Sequence, residues 1–115
     1  MPDDCIFCRV AAGKTDTKLL YEDDHVVAFA DLRPIAPTHI LVVPKAHHET
    51  LVGAAHEADR DTLGRLLEVA GRIAREKVGD AGCRVVINNG ASAGQTVYHL
   101  HLHLLSGRHF AWPPG

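Results

Sequence analysis

The chain has 115 residues, of which 46% are hydrophobic and 23% charged, and its net charge is −2 with histidine neutral. That is the size of one domain, residues 1–115, with the composition of an ordinary globular protein. Lysine and arginine are scattered rather than striped, which argues against a long nucleic acid as partner, and no apolar run is long enough to span a bilayer. The start, Met-Pro-Asp-Asp, is acidic and no apolar leader follows it. Three cysteines, an odd number, argue against a disulfide framework, so a cytoplasmic setting is expected.

In chain order, residues 5–12 read as a short helix ended by Gly13. Leu19 to Glu22 reads as a strand, Asp23-Asp24 as a turn, and Val26 to Ala30 as a second strand. Asp31 to Pro37 is a proline-marked loop. His39 to Val43 is a β-branched strand closed by Pro44. Residues 59–78 form the one long helix, because Leu63, Leu66, Leu67, Ala70, Ile73 and Ala74 recur at helical spacing. Asp59 or Asp61 caps its start and Gly79 ends it. Arg84 to Ile87 is a strand, Asn88 to Thr96 a glycine-rich loop, and Tyr98 to Leu105 the last strand. The tail, Ala-Trp-Pro-Pro-Gly, cannot be regular structure. The prediction is an α+β domain with a mainly antiparallel five-stranded sheet, one long helix and one short.

Nine histidines are many for this length, and three of them alternate in Tyr98-His-Leu-His-Leu-His-Leu-Leu105. On a strand, His99, His101 and His103 share one face while Leu100, Leu102 and Leu104 share the core face. Three histidines in line do not help packing. A tri-histidine zinc site is disfavoured, since a rise of about 3.3 Å per residue puts the outer backbones roughly 13 Å apart. Division of labour fits better: one neutral imidazole attacks while its neighbours position or protonate. The loop before this strand offers consecutive N–H groups as an anion nest. Cys5-Ile-Phe-Cys8 is spaced as a metal knuckle or a redox pair, and the chain lacks the βαβ pattern that would favour the redox reading. Gly64 and Gly71, seven apart, share a face of the long helix and suggest close backbone approach of helix against helix between two copies. His25, His56 and His109 read as surface residues and Cys83 as a free structural thiol.

The His-x-His-x-His pattern resembles the signature of the histidine-triad superfamily. Phe29-Ala-Asp-Leu-Arg-Pro34, Ala36 to Lys45, Gly94-Gln-Thr-Val-Tyr-His99 and Trp112-Pro-Pro-Gly115 all resemble its Hint branch. The resemblance implies the histidine-triad fold paired into a homodimer, and a purine nucleoside phosphoramidase without an organic cofactor. It implies that His101 attacks the α-phosphorus to form a nucleotidyl-histidine. The His99 carbonyl would orient that ring, His103 would contact the phosphate and help the leaving group, and His39 would stand near the site or serve as a buried, hydrogen-bonded ring. Asn88, Gly94, Gln95 and Thr96 would meet the phosphate or leaving group. Thr96 stands where the branch commonly has serine. Asp31 would take the ribose; Phe7, Phe29 and Leu32 would clasp the base; and Trp112 would reach the partner's site. Ala30 stands where animal members often carry histidine. By similarity to metal-binding relatives, Cys5, Cys8, His47 and His99 would hold a structural zinc, with His48 as the alternative to His47. The implied ligands are AMP, an adenosine phosphoramidate or an aminoacyl adenylate. The other readings are dinucleoside polyphosphate hydrolysis, disfavoured by His103 and the Trp-Pro-Pro-Gly end, and a nucleotide-binding regulatory partner protein.

Overall fold

The computed structural model describes residues 4–57 and 59–115; residues 1–3, most of the acidic start, lie outside them. Five strands, β1 (Leu19–Glu22), β2 (Val26–Ala30), β3 (Thr38–Pro44), β4 (Cys83–Val86) and β5 (Leu102–Ser106), form one sheet. Its order is β1-β2-β3-β5-β4 and every pairing is antiparallel. Three α-helices accompany it: α1 (Ile6–Ala11), α2 (Leu51–His56) and α3 (Arg60–Lys77).

Alternation along the central strands loads both faces of the sheet. Val26, Ala28, Ile40, Val42, Leu102 and Leu104 face α3, whose Leu66, Val69, Ala70 and Ile73 are spaced i, i+3, i+4, i+7 and fill that core. The opposite face, Val27, Phe29, Leu41 and Val43, packs against Phe7, Val10 and Ala11 of α1. Asp59 caps α3 by accepting the Thr62 N–H at 3.1 Å, which selects it over Asp61. Gly79, at φ +65°, follows the helix end.

Three expectations need adjustment. A second short helix, α2, joins the expected pair. Thr50 caps it by accepting the Gly53 N–H at 2.9 Å, but six residues are too few for periodicity to be visible. His56 therefore lies in α2 rather than ahead of a helix. The last strand starts at Leu102, not Tyr98. Residues 98–101 leave the ladder because the Leu100 N–H bonds the His48 carbonyl at 2.6 Å instead of a neighbouring strand. Leu100, Leu102 and Leu104 still enter one core, so the alternation of faces survives the loss of regular pairing. After β5, Gly107 turns the chain at φ +98°, and a Cβ there would lie 2.7 Å from the Pro37 side chain. Only glycine fits that turn.

Candidate active site and metal centre

Cys5 caps α1, accepting the Cys8 N–H at 3.4 Å. One helical turn thus brings both thiols to the same end of the helix. His47, beyond β3, and His99 converge on them. Cys5 Sγ lies 3.3 Å from His99 Nδ1; Cys8 Sγ lies 3.2 Å from His47 Nδ1 and 3.4 Å from His99 Nδ1. The two Nδ1 atoms are 3.2 Å apart. A tetrahedral zinc with its usual bond lengths has edges of about 3.5 Å from sulfur to nitrogen and about 3.3 Å between nitrogens. The cluster matches those edges, so these four side chains are capable of holding the ion. The protonation states fit as well. The His99 Nε2–H donates to the Pro44 carbonyl at 2.7 Å, leaving a lone pair on Nδ1, and burial brings this ring down to about 4. Burial, and then Cys5 nearby, push the Cys8 thiol up to about 11, so binding a cation there would displace the thiol proton. His48 is not in the cluster. Its Nε2 lies 2.8 Å from an Asp59 carboxylate oxygen, tying the chain before α2 to the cap of α3; nothing in the sequence signalled that pair.

Tautomers can be followed through the rest of the site. The His101 Nδ1–H donates to the His99 carbonyl at 2.8 Å, so its Nε2 carries a lone pair. Burial is the largest influence on His101 and holds it below the ordinary imidazole value, against the pull of that hydrogen bond and Asp31. The Ile35 N–H donates to His39 Nδ1 at 3.1 Å. His39 Nε2 must therefore carry the proton, and it lies 2.9 Å from His103 Nδ1 and 3.4 Å from an Asp31 oxygen, both acceptors. His103 is left with its N–H on Nε2. Burial, then the neighbouring His101 and His39, bring His103 down to about 4. Two neutral rings with centroids 5.0 Å apart thus differ in kind. One keeps a bare nitrogen, and the other presents a donor. The register β3–β5, with Leu41 opposite His103, is what brings His39 and His103 together.

A cavity of about 340 Å³ opens beside His101 and His103. Phe7, Val10, Phe29, Leu41 and Val97 line it with apolar surface, and Asp31 and Thr96 are among its polar lining residues. Phe7 meets the rings of Phe29 and His101 edge-on, with centroids 5.6 and 5.0 Å apart. Leu32 lines the same cavity although it is almost wholly exposed. One Asp31 oxygen accepts the Arg33 N–H at 2.8 Å, so the carboxylate also shapes its own turn. In the glycine-rich loop, Gly90 and Gly94 adopt positive φ around a short 3-10 turn at Ala91–Ala93. Gln95 is buried. Its amide accepts from the Gly90 N–H and donates to the carbonyls of Glu49 and Val97. In this structure Gln95 shapes the loop, and both of its donors are taken. Asn88 lies on the far side of His103, lining a second cavity. Trp112 is 82% exposed and is not among the residues lining either cavity. Cys83, His25 and His109 are exposed.

The profile of the HIT domain matches residues 12–110. An uncharacterized HIT-like protein of Synechocystis is 47% identical over 116 residues, spanning all of both chains. A 14 kDa zinc-binding protein of Brassica juncea is 44% identical over 114 residues, 97% of this chain and 100% of its own. Among solved structures, a HIT family hydrolase from Legionella pneumophila superposes with a TM-score of 0.92 at 42% identity, covering 97% of this chain and 100% of that one.

Proposed function

The chain belongs to the HIT domain family, and from that premise we propose that it is a hydrolase cleaving a P–N or P–O bond at the α-phosphate of an adenosine nucleotide. The observation that carries the reading is the pair of contacts His101 Nδ1 to the His99 carbonyl and His103 Nδ1 to His39 Nε2, from which a bare Nε2 on His101 and an N–H on His103 follow at one cavity wall. The nucleoside enters the apolar cavity between Phe7 and Phe29, and Asp31 accepts from the ribose hydroxyls. The phosphate lies against Thr96 and the loop ending at Gly94. His101 Nε2 attacks phosphorus and forms a P–N bond. The leaving amine departs with the electron pair of the broken bond and takes one proton, for which His103 Nε2–H is the facing donor. Water then attacks the nucleotidyl-histidine, its proton makes up the one spent, and the nucleoside monophosphate is released. The substrates that suit this site are adenosine 5′-monophosphoramidate and aminoacyl adenylates.

Zinc at the four-residue cluster would be structural, since all four positions are filled by protein. His99 would link the two centres, its ring held at the cluster and its carbonyl holding His101. We also propose a homodimer. Gly64 and Gly71 lie on an open face of α3, where a Cβ at either position would meet nothing within 4 Å. Exposed Leu67 lies between them, and β4 is an edge strand whose Val85 is exposed. Among the described residues no helix is long and apolar enough to cross a membrane.

Side-by-side kinetics on adenosine 5′-monophosphoramidate and a dinucleoside polyphosphate test the function. Faster turnover of the phosphoramidate, with an adenylylated His101 fragment trapped by rapid alkaline quench, is expected. Failure to release AMP from any substrate would overturn the reading.

A further inference from the structure

A second cavity, of about 480 Å³, lies on the far side of His103. It shares the wall of Asp31, Arg33, Thr96 and His103 with the nucleoside cavity, whereas His101 lines only the nucleoside side. Displacement at phosphorus runs in line, with the leaving group opposite the attacking atom. A nucleotide seated in the first cavity and attacked by His101 therefore sends its leaving group toward the second.

The charge of that second cavity is distinctive. Arg33, Arg84 and Arg108 line it, and Asp31 is its single carboxylate. Among the described residues none of the three guanidiniums pairs with an acid. Two of them are held in place. Arg84 Nη2 donates to the Ala111 carbonyl at 3.0 Å, and Arg108 Nε donates to the Ile35 carbonyl at 2.9 Å. Their guanidinium carbons lie 5.3 and 4.3 Å from the Phe110 ring centroid. Neutral carbonyls and a ring position these cations without cancelling their charge, and N–H groups remain on each guanidinium for a ligand. Three arginines gathered around one cavity of a chain with net charge −2 form a local field set against the whole. Guanidinium is suited to carboxylates and phosphates, which it meets with paired N–H groups.

We propose that this cavity is the leaving-group subsite and that it selects an anionic leaving group, one carrying a carboxylate or phosphate a few atoms from the scissile bond. The inference rests on the hydrolase reading for the position of the scissile bond, but its test is a binding measurement that needs no turnover. The His101→Gly variant is titrated calorimetrically with two adenosine 5′-phosphoramidates of nearly equal size, one made from γ-aminobutyrate and one from its neutral amide. Diadenosine tetraphosphate forms a third arm, which separates a phosphate from a carboxylate source.

At low salt, at least one of the two anionic ligands should bind about ten-fold tighter than the neutral one, and the gap should narrow with added salt. Adding Arg33→Gln should lower the anionic ligand's affinity several-fold more than the neutral ligand's. Arg33 makes no side-chain hydrogen bond or ion pair among the described residues, so this variant should fold. For Arg84, the pair Arg84→Gln and Arg84→Lys separates charge from support of the tail: retained preference in the lysine variant and lost preference in the glutamine variant identify the charge. Equal binding of all three ligands, with AMP itself still bound, would overturn the subsite and leave the hydrolase reading intact. Absence of binding by AMP and all three ligands would overturn both.

Discussion

Replacing Cys5 and Cys8 together by serine removes half of the four-residue cluster and is the sharpest test of the metal centre. The donor atoms already stand at 3.2–3.4 Å across the sulfur–nitrogen and nitrogen–nitrogen contacts. Little rearrangement is therefore needed to bind, and the ion clamps α1 to the segments carrying His47 and His99. With free zinc at about a hundred times the dissociation constant, binding to the folded state alone adds about 2.7 kcal/mol. An unfolding entropy of about 2.1 cal/mol/K per residue, over 115 residues, is about 240 cal/mol/K, so the midpoint should rise by about 11 °C. The assay is a thermal melt of wild type and the double variant, each stripped and then titrated with zinc, together with elemental analysis of protein purified without chelator. Wild type should carry about one zinc per chain and melt about 10 °C higher when loaded, and the double variant should do neither. A wild-type protein that holds no zinc, or whose melt is indifferent to it, would refute the reasoning.

His101→Gly should still bind AMP within a few-fold of wild type but lose at least about three orders of magnitude in kcat, since it removes the attacking atom rather than the pocket; substantial residual turnover would place the nucleophile elsewhere. His39→Leu should lower kcat more than it raises KM, because it removes the N–H that fixes the His103 tautomer, and an unchanged kcat would reduce His39 to packing. Stability should fall with acid in the metal-free Cys5→Ser, Cys8→Ser background. The folded value of His103 is about 4, below the about 6.5 of an unfolded histidine, so from pH 6.5 down to about 4 the unfolded state takes up a proton that the folded state does not, costing up to about 3 kcal/mol; a denaturation midpoint that stays flat from pH 7 to 4.5 would contradict this. Light scattering at micromolar concentration should report a dimer, and Leu67→Glu should weaken it; a wild-type monomer with full activity would sink the proposed interface.

Much of this molecule is legible in its residue order because the governing physics is local. The alternation of histidine and leucine from His99 to Leu104 assigns faces whether or not the backbone joins a ladder, so the leucine core could be read even though the strand begins only at Leu102. The long helix declares itself through the spacing of Leu63, Leu66, Ala70, Ile73 and Ala74. Leu67, read with them, is exposed instead and Val69 takes its place in the core, and the choice of Asp59 over Asp61 as the cap is made by the Thr62 contact. The Cys5-x-x-Cys8 spacing marks a metal knuckle at the end of one helical turn. Other features arise between segments far apart in the chain, where no spacing rule reaches. His47 rather than His48 joins the cysteines because the chain beyond β3 turns one ring toward α1 and the other toward Asp59. His39 faces His103 across 64 positions because β3 and β5 pair in one register, and that pairing decides which nitrogen of His103 holds its proton. The arginine-lined cavity is assembled from the turn after β2, from β4 and from the segment beyond Gly107. Its charge is a property of where three guanidiniums meet, which composition and order leave open and only tertiary packing determines.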